Sequence, residues 1–264
     1  MSGPDSATMT AIFPYEEENR LKEAFFERAP TGYFVEVGAN DPQQWSQTFH
    51  LEKMGWRGIV IEPQPHLAEL LRQQRSAKVY AVACSAPENS GKRMVLHLAG
   101  GLSSFDPRLR VAGVQPEGSL EVPLMTIDEI LVDAEAPSPI DFLAIDVEGH
   151  EIEALSGFDF ARWRPRLILL EDHVLDRRRH RFMAAHGYKW VRRTDINSWY
   201  VPADTPWRLG PRGRWQFARK YYLGTPFRRL REALRRLRAR FGTPPHFPPP
   251  PAGEGRRGQG DADA

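Results

Sequence analysis

The stretch Tyr33-Phe34-Val35-Glu36-Val37-Gly38-Ala39-Asn40-Asp41 constrains this chain more than any other. An apolar, β-branched run meets a glycine and then two short polar residues, which is how a buried parallel strand ends in a tight turn. One strand-helix unit later, Gly58-Ile59-Val60-Ile61 repeats the apolar run and ends in an acid, Glu62. A carboxylate at that offset is placed to accept hydrogen bonds from the two hydroxyls of a ribose. The pair predicts an adenosine-containing ligand held at the carboxyl ends of parallel strands.

Strand and helix signals alternate around this pair. Residues 16–29 have helical spacing, with Leu21, Phe25 and Phe26 on one side, and Pro30-Thr31-Gly32 stops them. Residues 43–54 read as a helix with Trp45, Phe49 and Leu51 turned partly inward, and Pro65 opens another carrying Leu67, Leu70 and Leu71. Strands are predicted over 78–82, 140–145 and 165–170, helices over 151–156 and 177–186, and a hairpin over 188–193 and 198–202. Thr126 followed by Asp128 and Glu129 reads as a helix cap. Residues 93–98 and 120–125 alternate like short strands. The glycine-, proline- and serine-rich 100–118 between them is long enough to predict a lid or substrate loop.

The predicted fold is α/β: a Rossmann-like, doubly wound, mostly parallel sheet ending in an antiparallel hairpin, the outline of a class I methyltransferase domain. The expected domain spans residues 1–218, with its core over 31–202 and a disordered start. Residues 219–241 follow as a basic amphipathic helix, and 242–264 as a disordered tail too rich in proline and glycine to bury a core.

Composition narrows the partners. One cysteine, Cys84, excludes an internal disulfide and a cysteine-built metal site, and its place after a strand predicts a small buried residue. The first residues lack a basic start followed by an apolar block, and no apolar run is long enough to span a bilayer, so the sequence predicts a cytoplasmic protein. The net charge of +2 is uneven: residues 219–264 hold 11 of the 36 basic side chains and four of the 34 acidic ones. A mildly acidic body with a basic tail is not the charge pattern of a nucleic-acid enzyme, and no nucleic-acid partner is expected. Within the tail, Phe227, Leu230, Leu234, Leu237 and Phe241 fall on one helical face with arginines around them. That pattern predicts a helix over 227–241 for peripheral contact with the inner face of a membrane; packing on the body or on a second copy is the alternative.

Four carboxylates end four strands: Glu36, Glu62, Asp146 and Glu171. In an open parallel sheet such positions face one crevice. The turn after Glu36 is not G-x-G-x-x-G, because Asn40-Asp41-Pro42 replaces the later glycines, and this argues against a dinucleotide. In order and in spacing, FVEVGANDPQQWSQT, GWRGIVIEPQP, AVACS, VPLMTIDEIL, IDFLAIDVEGHEIEALSGFD and PRLILLEDH resemble the FkbM family of S-adenosylmethionine-dependent methyltransferases. The likeness runs from about Phe34 to His173, and the D-V-E-G-x-E element is its most distinctive part.

The resemblance implies S-adenosyl-L-methionine as cofactor and O-methylation of a sugar hydroxyl in a glycan, glycolipid or glycosylated natural product, a lipid-linked acceptor included. It places Glu36, Gly38, Asn40 and Asp41 around the methionine part of the cofactor, with Ser46 and Thr48 matching a serine and a threonine common in the family. It puts Glu62 on the ribose, and Ala83, Cys84 and Ser85 at the adenine edge. Asp146, Glu148 and Glu151 match the D-V-E-G-x-E element. His150 stands at a position that varies in the family.

An alcohol attacking a sulfonium methyl must be aligned and must lose a proton, so Asp146, Glu148, His150 and His173 are the candidate catalytic residues. Asp146, Glu148, Glu171, Asp172 and His173 could also gather a divalent cation such as magnesium. Two other readings are a nucleotide-dependent sugar oxidoreductase, which lacks the glycines and a Tyr-x-x-x-Lys pair, and an inactive glycan- or cofactor-binding module of the same fold.

Overall fold

The computed structural model describes residues 14–106 and 117–241. The expected disordered start, the tail after 241 and the middle of the expected lid loop lie outside the described residues.

Ten strands are described. They are β1 (Tyr33–Val37), β2 (Arg57–Ile61), β3 (Lys78–Tyr80), β4 (Ala83–Cys84), β5 (Arg93–Leu98), β6 (Gly118–Met125), β7 (Phe142–Ile145), β8 (Leu167–Glu171), β9 (Tyr188–Thr194) and β10 (Asn197–Pro202). The helices are α1 (Pro14–Phe25), α2 (Phe49–Lys53), α3 (Pro65–Gln74), α4 (Ile127–Asp133), α5 (Glu151–Ser156), α6 (Phe160–Trp163), α7 (Arg178–Ala185), α8 (Pro211–Phe217) and α9 (Gly224–Phe241), with a π-helical turn, Ala218–Leu223, joining the last two.

Seven strands form one sheet in the order β3-β2-β1-β7-β8-β10-β9. The strands from β3 to β8 pair in parallel, and β10 runs antiparallel to both β8 and β9. Strand order reverses between β1 and β7, which lie in register from Phe34↔Phe142 to Val37↔Ile145. That junction is where an open α/β sheet leaves a crevice for a ligand. The fold is therefore the doubly wound, Rossmann-like arrangement expected from the sequence.

Period-two alternation in buried strands sends side chains to two cores. Val35, Val37, Ile59, Ile61, Leu143 and Ile145 pack with Ile127, Ile130 and Leu131 of α4, Ala154 and Leu155 of α5, and Met183 of α7. Phe34, Val60, Phe142 and Ala144 point the other way, against Leu21, Phe25 and Phe26 near α1, Leu51 of α2 and Leu71 of α3. Thr126 caps α4 as expected: its hydroxyl accepts from the Glu129 N–H while the Glu129 carboxylate accepts from the Thr126 N–H.

After β3 the chain leaves the main sheet. β4 pairs with β6, and β6 pairs antiparallel with β5 from Arg93↔Pro123 to Leu98↔Gly118. The two alternating segments are thus one hairpin, and the long loop is its tip.

The expected helix over 43–54 is shorter. Only Phe49–Lys53 is helical, and Trp45 is exposed at φ +72°. Residues 46–48 bend instead to reach Glu36, and that contact outweighs helical propensity. Of the seven tryptophans, Trp56, Trp163, Trp190 and Trp199 are buried, whereas Trp45, Trp207 and Trp215 are exposed.

Gly38 is where the turn tolerates no side chain. Its φ is +84°, and an added Cβ would lie 1.8 Å from the Asp146 carbonyl oxygen. Gly91 has a similar φ of +75° with nothing near its missing Cβ. Gly91→Ala should therefore cost about 1–2 kcal/mol from backbone strain alone. Gly38→Ala should cost far more, or abolish folding, because β1 and β7 must separate. Thermal melts of the two variants compare strain with strain plus clash, and equal losses would refute the clash.

Candidate active site

A cleft enclosing about 550 Å³, its solvent-facing part included, opens at the carboxyl ends of β1, β2 and β7. Its walls include Gly38 and Asn40 after β1, Glu62, Pro63 and Gln64 after β2, and Val82, Ala83 and Cys84 after β3. Asp146, Val147, Glu148 and His150 after β7 complete it. Leu96 and the loop residues Gly100, Gly101, Ser103 and Phe105 close one side, so the loop expected to act as a lid does border the cleft.

Glu62 is buried, and each of its carboxylate oxygens accepts from a backbone N–H: Asn40 at 3.0 Å and Gln64 at 2.9 Å. These two bonds fix its rotamer and leave further lone pairs directed at the cleft. Burial raises its carboxyl above the usual range, opposed by the same hydrogen bonds. The glycine turn and the downstream acid, separate features in sequence, meet here because Asn40 sits at φ +51° and aims its N–H at Glu62.

The D-V-E-G-H-E element forms the opposite wall. Asp146 is pushed well above the usual carboxylate range by burial and by the neighbouring acids Glu171 and Glu148, and it hydrogen-bonds Glu171. Glu148 is pushed up to about 8 by burial and by Glu171. Its backbone is held at φ +49°, with its carbonyl accepting from Ser104 Oγ at 2.8 Å. A glutamate there carries about 1–2 kcal/mol of strain, which the loop contact helps to hold. His150 lines the cleft, stacks at a tilt on Phe105 with 4.9 Å between ring centroids, and lies 3.2 Å from Ser85 Oγ through Nε2. Burial lowers its pKa.

Glu151 turns away from the cleft. It is fully buried, accepts from the Gly149 N–H at 2.7 Å, and pairs with Arg179 of α7. Arg179 thereby fixes the turn that presents Asp146, Glu148 and His150. Glu171 is buried beneath them and lies 3.2 Å from Nε2 of the half-exposed His173. Against the pull of its own burial, Glu171 is held below its usual range by His173, whose pKa is raised by the same contact. One ligand atom each from Glu148, Glu171 and His173 lie within 4.8 Å of one another, a set able to hold a divalent ion.

Not every expected residue reaches the cleft. Glu36 lies behind the turn: it accepts from Ser46 Oγ at 2.9 Å, Gln47 N at 2.5 Å and Thr48 Oγ1 at 2.5 Å, with Arg75 at 3.7 Å. Its position on β1 puts it on the sheet face opposite Val35 and Val37, its oxygens are taken by protein donors, and it is not among the residues that line the cleft. Asp41 likewise serves its own turn, accepting from the N–H groups of Gln43 and Gln44. Ser85 is fully buried and reaches the cleft only through His150. His173 stands outside the lining residues, one contact beyond Glu148. Cys84 is buried as expected, and burial alone pushes its thiol up, out of the reactive range. The apolar wall of Val82, Leu96 and Phe105 was missed from sequence because only the β5–β6 hairpin brings it there.

The doubly wound sheet with an acid-lined cleft at its switch point is a Rossmann-like methyltransferase fold. The methyltransferase FkbM domain model matches residues 36–190, more than half the chain, and the chain belongs to that family. A hexuronic acid methyltransferase, AglP of Haloferax volcanii, is 33% identical over 86 residues, 31% of this chain. The match spans 36% of that relative's length. Among solved structures, the precorrin-6y C5,15-methyltransferase of Geobacter metallireducens aligns with a TM-score of 0.40 and 13% identity over 74% of this chain and 91% of that chain. That likeness is too distant to carry an inference.

The structural role of Glu36 can be separated from cofactor contact. Glu36→Ala leaves Arg75, Ser46 and Thr48 without their buried acceptor and should cost about 3–5 kcal/mol. Urea denaturation measures it, and a loss below about 1 kcal/mol would return Glu36 to the list of ligand contacts.

Proposed function

We propose that this protein is an S-adenosylmethionine-dependent O-methyltransferase whose acceptor is a sugar hydroxyl. The observation that carries the reading is Glu62, a buried carboxylate clamped by two backbone N–H groups with its remaining lone pairs toward the cleft. It suits the paired hydroxyls of a ribose. Ile61, Val82, Ala83 and Leu96 offer apolar surface for a purine, and Asp146 offers acceptors for a cationic amino-acid portion. The residues present thus fit the cofactor. When bound, it supplies an electrophilic methyl group on a sulfonium.

The chain's own work is alignment and proton removal. Gly38 lets the turn close on Asp146 without a side chain between them. Phe105 and Leu96 wall the cleft against water. Glu148, fixed by Ser104 and Arg179-braced Glu151, takes the acceptor's proton at a carboxylate oxygen, or His150 does so at a ring nitrogen. The same Glu148, with Glu171 and His173, could instead hold a divalent cation that polarises the acceptor hydroxyl. The sugar class draws support from the Haloferax relative, a hexuronic acid methyltransferase.

Five measurements test this. Calorimetry with S-adenosylmethionine and with NAD should show binding of the first alone, and the reverse would overturn the assignment. Glu62→Ala should weaken S-adenosylmethionine by about 10–100-fold, from a lost charge-assisted contact of about 1.5–3 kcal/mol, while melting curves confirm a folded variant. Unchanged affinity would remove Glu62 from the site.

Turnover on a hexuronic-acid-containing glycoside should fall about 10²–10⁴-fold in Glu148→Gln with cofactor affinity kept. Wild-type turnover in that variant would leave Glu148 without a required charge. Full activity in chelator would dismiss the ion. An alkali-stable ether product supports the hydroxyl as acceptor, whereas an alkali-labile ester would move methylation to the carboxylate.

A further inference from the structure

The C-terminal helix has two faces of different character. Its inner face is built into the domain. Tyr221 is buried in the core and donates to Asp172 Oδ2 at 2.8 Å, and Thr225 Oγ1 donates to the Tyr221 carbonyl at 2.8 Å. Arg228 Nε donates to the Val174 carbonyl at 2.9 Å. Tyr221 and Arg228, which bond to the body, and the buried Thr225 between them, at i, i+7 and i+4, set the rotation of the helix.

The opposite face carries Leu223, Phe227, Leu230 and Leu234, at i, i+4, i+7 and i+11. They are 54%, 73%, 60% and 47% exposed. Phe227, Leu230 and Leu234 belong to the stripe expected from sequence and are exposed, and Leu223 extends it; the side chains of Leu237 and Phe241 lie outside the described residues. Tyr222 and Trp215, 52% and 60% exposed, extend the apolar and aromatic surface toward α8. Exposed large apolar side chains in a row mark a surface that something covers.

We propose that this face docks on the surface of an anionic lipid bilayer. Charge selects that occupant. Residues 219–241 contain nine basic residues and one acid, Glu232, and Arg229 and Arg231 are exposed beside the stripe. Two copies of such a helix meeting stripe to stripe would bring like charges together. A negatively charged headgroup layer satisfies the same arginines while acyl chains take the leucines and the phenylalanine. No helix among the described residues is long and apolar enough to cross the membrane. The helix lies flat instead, held by Tyr221, Thr225 and Arg228 with its stripe outward. This placement does not depend on what the cleft binds.

The test uses the full chain and sedimentation with vesicles of phosphatidylglycerol or of phosphatidylcholine. The protein should pellet with the anionic vesicles at low salt, stay in solution with the neutral ones, and be released at about 0.5 M salt, where screening is short-ranged. Phe227→Ser combined with Leu230→Ser should lower partitioning at least about tenfold, because burying each side chain among acyl chains contributes strongly. Both residues are exposed, so the melting temperature should hold. Arg231→Glu, a second variant outside the core, should weaken binding at low salt. The proposal is overturned if the full chain stays soluble with both vesicle types, or if the double variant pellets unchanged. It is equally overturned if light scattering shows a dimer that the double variant abolishes while neither protein pellets.

Discussion

A single buried carboxylate organises the front half of this domain. Glu36 collects a backbone N–H, two hydroxyls and a guanidinium, so its charge is compensated inside the fold. Each partner belongs to a different piece of chain. Ser46, Gln47 and Thr48 come from the loop after β1, and Arg75 caps α3 while pairing with Glu52 of α2 at 2.7 Å. The network continues outward: Gln47 accepts from Lys22 and donates to Glu18, and Glu18 accepts from Thr194 and Asn197 at the β9–β10 turn. Lys22 is wholly enclosed, and burial lowers its pKa to about 8. Residues 46–48 leave helical geometry to serve this hub.

The two walls of the cleft are made in different ways. The Glu62 wall is local, a carboxylate gripped by backbone N–H groups of its own turn and of the glycine turn beside it. The Glu148 wall is assembled from distant parts: Arg179 of α7 on Glu151, Ser104 of the β5–β6 tip on the Glu148 carbonyl, and Glu171 of β8 underneath. Like charges crowd there, and the cluster answers by raising Asp146 well above the usual carboxylate range and by pairing Glu171 with His173. A wall of this kind is tunable at several remote positions, whereas the Glu62 wall is not.

This difference explains how much could be read in the sequence. The strand-turn-acid pattern is written in consecutive residues, so the parallel sheet and the strand-end places of Glu62, Asn40 and the D-V-E-G-H-E turn are legible in it. Glu36 and Asp41 looked equivalent to them, because a strand-end acid gives no sign of which sheet face it takes or whether neighbours consume its oxygens. The burial of Glu18 and Lys22 was invisible for the same reason: a charged helix position reads as solvent until a second element supplies its counter-charges. Val82, Leu96 and Phe105 carry no polar signature, and only the pairing of β5 with β6 brings them to the opening.

The C-terminal segment joins these themes. Sequence composition alone gives an arginine-rich helix with a stripe, consistent with a detached appendage. Tyr221 removes that freedom by donating to Asp172, next to Glu171 and His173, and by sharing hydrogen bonds with Ser198 and Tyr200 of β10. Arg228 and Arg229 add bonds to the carbonyls of Val174 and Leu175. Val174 is fully buried at φ +51°, a conformation a β-branched residue adopts only when its surroundings impose it. The loop that carries His173 therefore owes its shape to the helix behind it. Three side chains of the C-terminal segment thus join it to the loop that follows Glu171. The rotation that hides Tyr221 is the same rotation that exposes Phe227, so the anchoring of that loop and the presentation of the apolar stripe are one structural decision.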